Sequence, residues 1–172
     1  MSKSRRLASL RTGSQLIVAA AAGVVAGTIA TAVQMLAWWL SATPVLQTLL
    51  RDARLTAAIV MGPAVLTSAP VLRWDLLLIA ALIHLSLSFA YAAIAMLFVR
   101  RLNAKQAIAT GAAYGLAIYG LNLHALTVFF PWFSVSRGWI TMLAHVAFGA
   151  SLTAACCLFG AAGGRSPSLR SY

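Results

Sequence analysis

The stretch "DLLLIAALIHLSLSFAYAAIAMLFV", residues 75–99, carries no charge after its first residue and places one imidazole, His84, near its middle. It is longer than the ~20 apolar residues a helix needs to cross the hydrocarbon core of a bilayer. It also has no polar face to turn toward water. Three further charge-free intervals match it in length or exceed it: residues 13–50, 106–136 and 138–164. The chain is 62% hydrophobic and 9% charged, against about 25% charged in soluble domains, which excludes an ordinary soluble protein. Spanning strands alternate apolar and polar residues over about ten positions, whereas these runs are apolar on every side. The expected fold class is therefore all-α, a polytopic membrane protein.

Residues 55–72 decide the number of spans. They are uncharged, but Gly62-Pro63 and Pro70 interrupt them, and proline removes a backbone donor. Positive charge favours the cytoplasmic side. Spans at about 15–40, 76–99, 106–130 and 138–160 leave nine basic residues inside (Lys3, Arg5, Arg6, Arg11, Arg100, Arg101, Lys105, Arg165, Arg170) and four outside (Arg51, Arg54, Arg73, Arg137). A crossing at 55–72 would invert every later span and give six inside against seven outside. Four transmembrane helices with both termini cytoplasmic are expected. A short outer-leaflet or re-entrant helix is expected around 44–61, with Thr43 as cap, Pro44 in the first turn and Gly62-Pro63 as stop.

This divides the chain into a basic cytoplasmic N-terminus (1–14), a four-helix transmembrane domain (15–160) and a flexible cytoplasmic tail (161–172). The N-terminus resembles a secretory signal, with Ala30-Thr31-Ala32 as a cleavage motif. Its apolar run continues through "VQMLAWWL", however, so it reads as a retained first span. The formal charge of +11 sits at the ends of the apolar runs. That distribution suits the lipid bilayer and its anionic headgroups and argues against nucleic acid. Adjacent Cys156 and Cys157 cannot form an unstrained bridge and read as small packing residues.

Helices in lipid associate through small residues. Ala19, Gly23, Gly27 and Thr31 recur every four residues in the first span, as do Ala107, Gly111 and Gly115 in the third. Such faces also suit a homo-oligomer or a membrane-protein partner. All five tryptophans lie near expected outer ends, where the headgroup region favours indole rings.

Counted inward from those ends, Gln34, His84, Asn122, His124 and His145 fall about 9 to 14 Å deep, a candidate polar layer contributed by all four spans. Unpaired polar groups in hydrocarbon cost several kcal/mol, so these residues should face one another, a cavity or the re-entrant segment. Asn122 and His124 differ by about 200° around their helix and cannot both face one centre. Three readings compete. The layer is a structural network; or it is a proton or ion path in a small transporter; or its histidines hold a metal or haem. No acidic residue lies within a span, and the sequence has no catalytic serine motif, phosphate loop, HExxH or CxxC. The reading is non-enzymatic, with no cofactor required and the metal question open. A faint echo between "LIHLSLSFA" and "LAHVAFGAS" suggests two parallel helical hairpins.

At "FFPWFSVSRGWITMLAHVAFG", residues 129–149, with His84 and "AAIVMGP" at 57–63, the chain resembles a group of small, mostly uncharacterised bacterial four-helix inner-membrane proteins. Some of these carry names referring to a sodium:proline symporter, although such symporters have many more spans than 172 residues supply. The resemblance implies a bacterial inner membrane and no assigned role. In physical terms Pro131 ends the third helix. Trp132 and Trp139 anchor the turn, and Arg137 is expected to reach headgroup phosphates or carbonyls of the outer segment.

Overall fold

The computed structural model describes residues 3–67, 72–99 and 102–163, with side chains described from residue 13 to 160 apart from Ser14. Among these residues the chain is all helical: α1 (Lys3–Leu40), α2 (Val45–Met61), α3 (Trp74–Val99), α4 (Ala104–Gly120) and α5 (Trp139–Gly163), with short irregular turns between them. Helix α1 thus takes in most of the basic N-terminus, and α5 takes in the first three residues of the expected tail. The rest of that tail, with Arg100, Arg101, Arg165 and Arg170, lies outside the described residues.

Among the described residues, three helices are long and apolar enough to cross a membrane: Gln15–Leu40, Trp74–Val99 and Trp139–Gly160. The run expected as the third span, 106–130, departs from a single α-helix. Regular α-helix ends at Gly120, a π-turn covers Leu121–Ala125, and a 3-10 turn covers Leu126–Val128. The Leu126 amide reaches back five residues to the Leu121 carbonyl. The chain leaves helical geometry at Phe130, φ −128° and ψ 71°, because the Pro131 ring crowds the α conformation of the residue before it.

Expectation and structure also differ at Thr43. Its amide donates to the Trp38 carbonyl (2.9 Å) and the Ala42 amide to Trp39 (3.1 Å), a Schellman closure of α1. Ala42 takes the left-handed position, φ 53°, that glycine usually occupies. Thr43 therefore finishes α1 rather than capping α2. Pro44 is the flanking residue of α2, and both the amide (3.0 Å) and the hydroxyl (2.8 Å) of Thr48 return to its carbonyl. The expected stop holds: Gly62, φ 81°, closes α2 through its amide on Ala58. Helix α2 lays Leu50, Ala53, Leu55, Ala57 and Ala58 inward and packs mainly on α3, while Leu46 and Val60 point away.

The bundle is held most closely between α4 and α5, then between α1 and α5 and between α1 and α3. A Cβ added at Gly111 would strike Thr153 Oγ1 and the Gly149 carbonyl; one at Gly115 would strike the His145 carbonyl; one at Gly149 would strike the backbone of Gly111 and Gly115. Across this seam the fully buried Thr153 hydroxyl donates to the Ala107 carbonyl at 2.7 Å. Alanines 19, 22, 26 and 30 give α1 a second small-residue ridge, clustered with Ala92 and Ala95 of α3 and Phe148 and Leu152 of α5. Helices α3 and α4 scarcely meet along their backbones. Aromatic rings bridge them instead: Tyr91 with Tyr114 at 6.5 Å and Phe98 with Tyr114 at 5.4 Å, both edge to face.

Leucine at Gly149 should abolish the monodisperse folded protein in detergent, since overpacking alone costs about 1–3 kcal/mol and here the obstacle is backbone. Leucine at Gly160, where a Cβ meets nothing within 4 Å, should leave gel filtration and melting unchanged. Replacing Ala42 by glycine should raise the melting temperature, by relief of about 1 kcal/mol of left-handed strain.

Candidate functional site

The five residues of the expected layer do not converge on one centre. The histidines and Asn122 fall into three groups, each built on a different pair of helices, and Gln34 lies seven residues along α1 from the glycine that His84 meets.

In the first group, His84 of α3 turns its Nε2 edge onto Gly27 of α1, where an added Cβ would come within 3.0 Å of it. The Gly27 carbonyl is its polar neighbour and also accepts the Thr31 hydroxyl at 2.9 Å. Ser88, one turn further along α3, is buried against the same glycine face. His84 as a whole stays exposed. Gln34 stands half-buried on α1, in helical register with Ala30 and Ala37.

The second group joins α3 to the π-turn. The Tyr91 hydroxyl donates to Asn122 Oδ1 at 2.6 Å, and the Tyr114 hydroxyl donates to the Tyr91 carbonyl at 3.1 Å. Side chains lean toward the N-terminus of their helix. Tyr91 and Asn122 sit on antiparallel helices, so they lean toward each other and close a gap that their backbones leave open. Phe148 completes the cluster, 6.3 Å from Tyr91.

In the third group Tyr119 lies between two histidines, edge to face with His124 at 5.5 Å and with His145 at 5.6 Å. His145 Nδ1 is 2.8 Å from the Thr141 carbonyl. A carbonyl only accepts, so Nδ1 carries a proton. His124 stays on the exposed side of the π-turn. Among the described residues, no three His, Cys, Asp or Glu side chains gather into a metal-binding group.

The turn 131–138 is tied down more specifically than expected. Trp132 Nε1 donates to the Leu55 carbonyl of α2 at 2.9 Å. Arg137 does not reach the outer segment: its Nε donates to the Leu123 carbonyl at 2.7 Å and Nη2 to Thr127 Oγ1 at 2.8 Å. It thereby closes the wide end of the helical run after α4, where carbonyls lack regular partners. Trp139 begins α5 and is 60% exposed. Asp52 of α2 accepts from Arg51 (2.8 Å) and from Ser136 (3.3 Å). Burial pushes its carboxyl above the ordinary 3.8, against the opposing pull of Arg51 and Ser136.

These contacts share one register. Gly23 meets Ser88 and Gly27 meets His84; Gly111 meets Gly149 and Gly115 meets His145. Each first helix presents glycines four apart, and each returning helix presents a histidine followed four residues later by a small residue. The echo in the sequence thus corresponds to two antiparallel hairpins, α1/α3 and α4/α5, with α2 inserted in the first. The second hairpin is tighter: the His145 backbone, rather than its ring, faces the glycine. Tyr119 and Thr153, unremarked in the sequence, fall on this register. Four residues beyond Gly115 leads to Tyr119, and four beyond Gly149 leads to Thr153.

Substituting Tyr91→Phe and Asn122→Leu singly and together should give a coupling of about 0.5–1.5 kcal/mol in a melting cycle. For Asp52 the folded state holds its proton to higher pH than the unfolded chain does. Its contribution therefore favours folding at acid pH and fades as pH rises from about 4 through the folded value. Asp52→Asn should flatten that decline in melting temperature. Comparison with family models, with curated proteins and with solved structures finds no match for this chain.

Proposed function

We propose that this chain is a four-crossing bacterial inner-membrane protein with both termini cytoplasmic, acting as a non-enzymatic structural or accessory component. The observation that carries the reading is how the polar side chains inside the bundle are used. Tyr91 and Asn122 hold each other, His145 holds Thr141, Thr153 holds Ala107, and Arg137 holds Leu123 and Thr127. The Tyr91, Thr153 and Arg137 bonds tie one segment to another, and the His145 bond holds its ring along its own helix. The fourth crossing is the run Ala104–Val128. Its α-helical part is 17 residues, about 26 Å at 1.5 Å per residue, and the π- and 3-10 turns extend it toward the ~30 Å of a hydrocarbon core. Helix α2 then lies along the outer leaflet, with its apolar side on α3.

The glycines proposed for self-association are engaged within the chain, so a homo-oligomer or membrane-protein partner would use another surface. One feature favours a proton-conducting module as the second reading: His84 is exposed at mid-helix.

Labelling tests the topology. With Cys156 and Cys157 replaced by serine, Ser134→Cys should react with an impermeant maleimide in intact cells, and Lys105→Cys only after permeabilisation; the reverse pattern overturns it. On the structural reading, His84→Leu and His145→Leu lower folded yield, and wild-type proteoliposomes carry no proton flux above empty vesicles. A pH-dependent flux abolished by His84→Leu would establish the second reading instead.

A further inference from the structure

A cavity of about 220 Å³ opens at the tryptophan-bearing end of the bundle, between the end of α1, the start of α2, the 131–138 turn and the start of α5. Trp38, Thr48, Arg51, Arg137, Trp139 and Thr141 are among the residues that line it. We propose that it binds a phosphate-bearing anion, either the headgroup of an anionic phospholipid or free inorganic phosphate.

Charge is the first argument. The wall contains two guanidinium-bearing residues and no carboxylate-bearing one. Asp52 stands behind it, with the bonds from Arg51 and Ser136 all falling on one oxygen, Oδ1. Arg51 uses Nε and Nη2 for Asp52, and Arg137 uses Nε and Nη2 for Leu123 and Thr127. Each side chain is therefore held in place, no bond falls on Nη1 of either among the described residues, and a pinned guanidinium loses little freedom on meeting a phosphate.

Size and setting are the second. At ~30 Å³ per water, the volume takes a phosphate together with a glycerol-sized group and is too small for a folded partner. Trp38 is buried beside it and Trp139 is largely exposed at it, the placement of indole rings at headgroup level. The start of α5 adds donors. Its first backbone bond runs from Met142 to Gly138, so the Trp139, Ile140 and Thr141 amides on the cavity wall have no helical acceptor.

The test uses the full chain and two probes. In the first arm it is reconstituted in nanodiscs of phosphatidylcholine with phosphatidylglycerol, then released and weighed intact by native mass spectrometry. In the second, phosphatidylcholine nanodiscs are titrated with inorganic phosphate, read by tryptophan fluorescence. Retained phosphatidylglycerol in the first arm, or a saturable change in the second, identifies the source. Arg51→Gln should weaken that signal at least ~10-fold. Arg73→Gln, whose guanidinium pairs with Asp75 away from the cavity, should leave it unchanged. Ile140→Phe, which narrows the cavity without altering charge or adding an indole, should abolish the signal and serves if Arg51→Gln does not fold. Loss of signal in neither Arg51→Gln nor Ile140→Phe, equal loss in Arg73→Gln, or no signal in either arm would overturn the proposal.

Discussion

The structure depends on backbone meeting backbone between α4 and α5. Gly111, Gly115 and Gly149 leave no room for a single added carbon, and Thr153 bridges the same seam to Ala107. In lipid there is no hydrophobic drive to bring apolar helices together, so dispersion between closely approached surfaces and a few buried hydrogen bonds must do it. Once this pair is fixed, His145 is fixed with it, and Tyr119 sits one turn beyond Gly115. The π-turn, the Arg137 clasp and the 131–138 turn are then built outward from a rigid base.

The looser hairpin has the same plan with one substitution of roles. Where the His145 carbonyl lies on Gly115, the His84 ring lies on Gly27. Inserting an imidazole edge between helices holds α1 and α3 further apart and leaves His84 exposed. Helix α2 then covers α3 and carries Arg51, Asp52 and the Leu55 carbonyl to the turn between α4 and α5. The two hairpins are thus connected at their tryptophan end through α2, as well as along their length through α1 and α5.

Much of the helical content was legible, because unbroken apolar runs admit few alternatives and because Gly62-Pro63 and Pro131 mark chain reversals. The four-residue spacing of glycines pointed to the right contact faces. Depth alone did not reveal how the polar residues pair. Counting from span ends set Gln34, His84, Asn122, His124 and His145 at one level, whereas packing sets His84 on Gly27, seven residues from Gln34, and His145 on Gly115, seven residues from Asn122; rotation about each helix then decides partners, and the π-turn changes that rotation between Asn122 and His124. The role of Thr43 was misread for a local reason: the dipeptide Thr43-Pro44 suits a helix start, but Thr43's amide was already committed to closing α1. Arg137 was placed at the right turn, but the carbonyl it binds is that of Leu123 rather than one of the outer segment, since the irregular carbonyl of Leu123 has no signature in the sequence.

The contrast between the two sides of the bundle has a mechanical consequence. Glycine against glycine is stiff, because nothing between the two backbones can rotate or tilt. Rings between α3 and α4 meet edge to face and are held by single hydroxyl bonds, which can bend and lengthen where a backbone contact cannot. If the girth of the bundle changes as bilayer thickness or lateral pressure changes, the Tyr91–Tyr114 side will yield while the glycine side stays shut. The molecule then opens like a book, with its spine at α4 and α5.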